Sequence, residues 1–157
     1  MRSSLLVGDG PMREAIEVRA RARRVEDDVV ITGLQQDVRP YVAACDVMTL
    51  CSVTEAFSLS ALEAMALGKP VVHSAVGGAA EMICPGHNGE LFPVGDTGAY
   101  VDKLTVLADR EVSGRMGRNA RLVVQALFSE RAMVDRYEKV LLQLCAKPLR
   151  PGEALAG

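Results

Sequence analysis

Long hydrophobic runs are missing from this chain. No apolar stretch approaches the roughly 20 residues that a membrane-spanning helix needs. The N-terminus has no signal-peptide pattern. A cytoplasmic location is the expectation. Charge of one sign is also missing: 18 Lys and Arg stand against 20 Asp and Glu, a net charge of −2. That balance offers no bulk electrostatic basis for binding nucleic acid. Cysteine is sparse, and Cys45, Cys51, Cys84 and Cys145 show no C-x-x-C spacing. Free thiols are expected, buried where the surroundings are apolar. The two histidines, His73 and His87, are far apart and have no metal-ligand spacing, so neither a metal nor a cofactor is expected. No internal repeat or low-complexity linker occurs.

What is present describes a globular domain. With 157 residues, 49% hydrophobic and 24% charged, the chain is long enough for one sizeable core. Short apolar runs at 4–7, 29–32, 47–51, 70–73 and 90–92 read as strands. Helical segments lie between them at 12–24, 37–45 and 59–67, and Gly77-Gly78 opens another through Ile83. From Asp96 the rest reads as helix, over 97–108, 111–126 and 129–145. Strands alternating with helices imply parallel βαβ units. The expected fold is α/β, a Rossmann-like parallel sheet with helices on both faces and a helical C-terminal end. The domain should span 1–147, with a flexible Pro/Gly/Ala-rich tail at 148–157.

The chemistry concentrates in residues 54–74, TEAFSLSALEAMALGKPVVHS. A loop carries Glu55, a helix carries Glu63, and Gly68-Lys69-Pro70 leads into the strand at Val71. A helix N-terminus offers free N–H groups and partial positive charge to a phosphate. Carboxylates beside it would repel that phosphate but accept hydrogen bonds from sugar hydroxyls. Together these features describe a nucleotide-sugar. A plainer reading stands beside it. Ser60-Ala61-Leu62-Glu63 fits a capping box, in which Glu63 only satisfies a backbone N–H, and Glu55 could be a solvated loop acid.

The run E-A-F-S-L-S-A-L-E-A-M-A-L-G-K-P-V-V resembles the E-x7-E motif of retaining GT-B glycosyltransferases of the family 4 type, glycosyl transferases group 1. Both acids, Phe57, the E-A-M-A helix and the G-x-P-V-V exit match, while Ala56 and Ser58 stand where the family has glycines. V-G-D-G-P-M-R-E-A, V-V-I-T-G-L, S-A-V-G-G-A-A-E-M-I and N-G-E-L-F-P-V-G-D are similar to flanking family elements. The resemblance covers about residues 4–145 and is to the C-terminal, donor-binding domain. It implies that Glu63 binds ribose hydroxyls and that Glu55, the catalytic-site acid, lies near the sugar. It further implies that the N–H groups around Phe57, Ser58 and Leu59 meet the β-phosphate, and that Gly33 lies beside the base. The partner implied is a nucleotide-sugar donor, with an unknown acceptor and no metal.

By the same resemblance, an N-terminal acceptor domain and the first strand and helix of this domain would precede the chain. They would bring an Arg/Lys pair to the diphosphate, so the sequence is expected to be a fragment or a truncated product, inactive alone. Any attachment to the inner face of a membrane would come through that other domain. The absent strand would leave the strands at 5–7 and 47–50 facing a gap or closing on each other, and such edges invite homodimers. Two further readings stay open: a non-enzymatic nucleotide-sugar-binding module or inert remnant, and a dinucleotide-dependent oxidoreductase domain. The latter is weakened because Gly8-Asp9-Gly10 lacks its third glycine, the position being Arg13. Gly77-Gly78 could let a ligand approach the backbone or simply start a helix. His73 and Ser74, at a strand end, could face a ligand crevice or be packed.

Overall fold

The structure, a computed structural model, describes residues 3–145. The tail expected at 148–157 lies outside the described residues. The element order is β1 (Ser4–Leu6), α1 (Arg13–Arg23), a 3-10 turn (Glu26–Asp28), β2 (Val29–Ile31), α2 (Arg39–Ala44), β3 (Met48–Leu50), α3 (Leu59–Ala66), β4 (Val71–Ser74), α4 (Ala79–Met82), β5 (Gly89–Phe92), α5 (Thr97–Val106), α6 (Arg110–Leu127) and α7 (Glu130–Cys145). Every strand pairing is parallel, as the alternation of strands and helices requires. The strands form two sheets, β1–β2 and β3–β4–β5. β1 and β3 do not pair with each other, so of the two outcomes expected for these edges the unpaired one is found.

The core is built around β4. Its four residues are all buried, and successive side chains on a strand point to opposite faces. Val71 therefore joins Ala61, Ala64, Met65, Met82 and Ala120 on one side. Val72 joins Phe92, Leu107 and Met116 on the other. A strand covered on both faces must be apolar at adjacent positions, which is why Pro-Val-Val reads as an unbroken run. In α1, by contrast, only Ala20 is buried. No residue of α7 is buried, and Val134, Tyr137, Leu141 and Leu142 are exposed on it.

Caps set where the later helices start. Asp96 accepts the N–H of Ala99, and Asp109 accepts those of Glu111 and Val112. Under the sheet, the carboxylate of Glu90 is 5% exposed. It accepts the Gly86 N–H at 3.1 Å and pairs with Lys103 Nζ at 2.8 Å.

The cysteines differ from expectation. All four are free, Cys45 is half-buried, and Cys51, Cys84 and Cys145 are exposed. Cys51 lies just past the end of β3 and Cys84 just past α4, where backbone leaves the core; Cys145 ends the uncovered α7. The partial burial that remains pushes the Cys45 and Cys51 thiols up, which keeps them protonated at neutral pH.

Candidate active site

Parallel strands aim their carboxyl ends at one edge of the sheet, and ligands of open α/β folds gather there. At that edge β3 runs into the loop 51–57, which delivers the chain to α3. Ser58 is the N-cap of α3: its backbone is extended, and its Oγ accepts the Ala61 N–H at 3.3 Å. The first helical bond runs from Leu62 N–H to Ser58 O.

This capping excludes the capping-box reading of Glu63. With Ser58 at the cap, the third helical position is Ala61, so Ser60 and Glu63 do not form a capping box. Glu63 is exposed and makes no hydrogen bond or ion pair among the described residues, so its carboxylate is free to accept. The N–H groups of Phe57, Ser58, Leu59 and Ser60 likewise find no backbone acceptor among the described residues. Ser58 is itself buried. Its side chain takes the Ala61 donor, so Leu59 and Ser60 are the helical N–H groups left for a ligand. The serine thus changes the site relative to the glycine of the resembled motif.

Glu55 is half-buried rather than a freely solvated loop acid. Its Oε2 accepts from Ser52 Oγ at 3.4 Å, a long bond that leaves most of its acceptor capacity open. Ser52 is fixed in turn, because the buried Ser74 donates its hydroxyl to the Ser52 carbonyl at 2.6 Å. A chain of contacts therefore runs from the core strand to the acid. Ser74 and His73 are packed, at 1% and 0% exposed, and do not face a crevice. His73 Nδ1 lies 2.7 Å from Ser74 O. A carbonyl can only accept, so Nδ1 carries a proton, and Nε2 has no hydrogen-bond partner among the described residues.

Gly33 sits apart from these groups, at the end of β2, with φ +70°. Its carbonyl accepts the Gly8 N–H at 3.0 Å. Beside it, Arg13 bonds Asp9 at 3.2 Å and Glu17 at 3.1 Å, and Glu17 first and then Asp9 hold the guanidinium above its ordinary pKa. Arg13 thus knits together the turn in which the dinucleotide fingerprint would need glycine. Lys69, past the end of α3, caps a different helix: its Nζ donates to Ala43 O of α2 at 2.7 Å. Among the described residues, no three His, Cys, Asp or Glu side chains stand close enough to hold a metal ion.

Sequence reasoning missed what holds the acid loop in place. The Gly78 N–H donates to Ala56 O at 2.8 Å, so the Gly77-Gly78 turn lies directly against residues 55–57. The Phe57 ring meets Phe128, at the end of α6, with centroids 5.7 Å apart. The glycine pair was visible as a signal, but nothing local names its partner.

The fold agrees with the comparisons. The profile of the family described as glycosyl transferases group 1 matches residues 3–110. N-acetyl-alpha-D-glucosaminyl L-malate synthase of Bacillus anthracis is 39% identical over 137 residues, 87% of this chain and 36% of that protein. The sucrose-phosphate synthase of Thermosynechococcus elongatus superposes with a TM-score of 0.79 at 35% identity, covering 90% of this chain and 38% of that one. The Anabaena Alr3699/HepE structure in complex with UDP does so with a TM-score of 0.80 at 27% identity, covering 90% and 41%. The chain thus spans about two fifths of the length of these proteins, and it shares the α/β fold of GT-B glycosyltransferases. The match of sequence profile, relatives and fold places this chain in the glycosyl transferases group 1 family.

Proposed function

We propose that this chain is the donor-binding half of a retaining glycosyltransferase, which moves a glycosyl group from a nucleotide-sugar to an acceptor held by a separate domain. One observation carries the reading. The N–H groups of Leu59 and Ser60, without a backbone acceptor among the described residues, stand in the chain between Glu55 and Glu63, two carboxylates whose acceptor capacity is largely unused. The helix end suits a diphosphate. The acids suit hydroxyls on either side of it, Glu63 those of the ribose and Glu55 those of the sugar. Phe57, Ser58 and Leu59 shape the turn between them, and Gly33 lies on the base side. Support comes from the Alr3699/HepE structures in complex with UDP and with UDP-glucose. No metal is needed in this reading, because the helix end and cations from outside the chain neutralise the diphosphate. Retention rests on the family resemblance, and no protein nucleophile is assigned. Calorimetric titration with UDP-, GDP- and ADP-glucose tests the reading; a chain that binds none of them, nor their free diphosphates, refutes it.

The acids divide the ligand between them. Glu63→Gln is expected to weaken binding of the free nucleoside diphosphate by about 1–3 kcal/mol, the scale of a charge-assisted hydrogen bond. Stability should change by less than about 0.5 kcal/mol, because the side chain is exposed and unpaired. Titration and denaturant unfolding of the same variant check both halves, and unchanged affinity would remove Glu63 from the site. Glu55→Ala should lower affinity for the matching nucleotide-sugar by about 1–2 kcal/mol and leave the free diphosphate nearly untouched. Equal loss for both ligands would reject the division.

The separate sheets carry a further expectation. β1 and β3 each present an edge that is not paired with the other, and exposed edges seek partners. Sedimentation of the purified chain should show a concentration-dependent homodimer; a strict monomer up to high micromolar concentration would argue against it.

A further inference from the structure

Gly78 has a backbone that any residue can adopt, with φ −77° and ψ 11°. Glycine is therefore not required there by conformation. It is required by its neighbour. A Cβ at this position would run into Cδ2 of Phe57, and would lie 3.0 Å from Cε2 and 3.2 Å from Ala56 O. Gly77 differs, because φ is +51° and a Cβ would run into the Glu55 carbonyl oxygen. The two glycines thus form a flat bed on which three consecutive loop residues lie: Glu55 on Gly77, Ala56 hydrogen-bonded to the Gly78 N–H, and Phe57 on Gly78. The Phe57 ring also meets Phe128, with centroids 5.7 Å apart and the rings tilted by 47°. Glu55 is the first residue of this clamped segment, and the α3 N-terminus immediately follows it.

We propose that Gly78 is a positioning residue for the donor loop, acting through Phe57. Its missing side chain seats the ring, and the seated ring sets the direction in which Glu55 and the Leu59 and Ser60 N–H groups face the ligand. This inference rests on the nucleotide-sugar reading. The reason is one of leverage. Phe57 is the one aromatic side chain of the loop, and a Cβ at Gly78 would press on both its ring and the adjoining Ala56 carbonyl, so ring and loop backbone are displaced together. Glu63 lies further along α3, whose body is anchored by the buried Ala61, Ala64 and Met65. Displacing the ring should therefore move the sugar end of the site and spare the nucleoside end.

The test uses Gly78→Ala, Phe57→Ala and the double variant of the full chain. Each is titrated with UDP-, GDP- and ADP-glucose and with UDP, GDP and ADP, and thermal unfolding confirms that each is folded. Gly78→Ala is expected to lower affinity for the bound nucleotide-sugar tenfold or more and for its free diphosphate by no more than about threefold. In the Phe57→Ala background, where the seat is vacant, the same substitution should cost less than twofold. A uniform loss on both ligands, or an undiminished loss in the Phe57→Ala background, overturns the inference. So does an unchanged affinity ratio in a wild-type chain that binds. A wild-type chain that binds none of the six ligands overturns the nucleotide-sugar reading instead, and the donor loop with it. If Gly78→Ala does not fold, Gly78→Ser joined to Phe57→Ala supplies the comparison, since it fills the same space with the ring removed.

Discussion

Transfer by residues 1–157 alone should be at least about a thousandfold slower than transfer by the chain joined to the region that its longer relatives carry. The chain covers 36% of the Bacillus anthracis relative and 38% of the sucrose-phosphate synthase, and in the proposed reading the acceptor is held by a separate domain. Holding two substrates in line is worth about 7–11 kcal/mol of barrier, and losing about 4 kcal/mol of it already slows a reaction about a thousandfold. Charge on the departing diphosphate adds to the deficit. Here it meets chiefly the N–H groups of Leu59 and Ser60, because Lys69 is committed to Ala43 O and Arg13 to Asp9 and Glu17. Preorganised charge supplies a large share of most enzymatic acceleration, and water is not excluded from Leu59, Ser60 and Glu63, which are exposed. A transfer and hydrolysis assay of the two forms decides. Equal rates would mean that catalysis lies within these 157 residues and that the division into halves is wrong.

A large effect on stability should come from Lys103, although its side chain is partly exposed. Lys103→Met keeps the stem of the side chain but strips the ammonium from a carboxylate that is 5% exposed, leaving Glu90 with the Gly86 N–H as its remaining partner. Removing one member of a buried pair costs about 3–5 kcal/mol. The lysine is itself 36% exposed, so about 2–3 kcal/mol is expected here. Replacing both, Lys103→Met with Glu90→Gln, should recover most of the loss, because the amide oxygen can still accept from Gly86 and no charge is stranded. Denaturant unfolding of the single and double variants measures the coupling. Additive losses would show that the pair is not what the buried carboxylate depends on. Glu90 shares the β4–β5 sheet with Ser74, so loss of the pair loosens the sheet that anchors Ser52 and Glu55.

The loop–helix–strand arrangement of the candidate site was legible because its signals are short-range. Glu55, Phe57, the helix carrying Glu63 and the Gly-Lys-Pro exit follow one another within a single loop–helix–strand unit. The helix boundaries came out close to those read from Pro40, Gly68 and Asp96, because turn and cap chemistry depends on neighbours three or four residues away. Where short-range signals competed, the reading was ambiguous. Ser58 and Ser60 both precede the apolar face of α3, and both are good caps. Ser58 takes the role because its backbone is extended and its hydroxyl is buried against the Ala61 N–H. The expectation for the cysteines failed differently. Cys51 follows an apolar strand, but the strand ends one residue earlier, and the side chain meets the open edge of the sheet rather than the core.

The amino-acid sequence by itself determined the α/β class, the order of strands and helices, and the acid–helix–acid arrangement. Alternation along a strand, the helical period and N-capping are all settled within a few residues of the chain. The tertiary structure alone decided what those acids rest on. Ser74 reaches the Ser52 carbonyl across a separation of 22 residues. Gly77 and Gly78 underlie Glu55, Ala56 and Phe57, and Phe128 closes on Phe57 from the end of α6. It also decided that β1–β2 and β3–β4–β5 are separate sheets. These contacts join segments that are brought together only when β4 is buried on both faces, and no local pattern encodes the partner of a glycine.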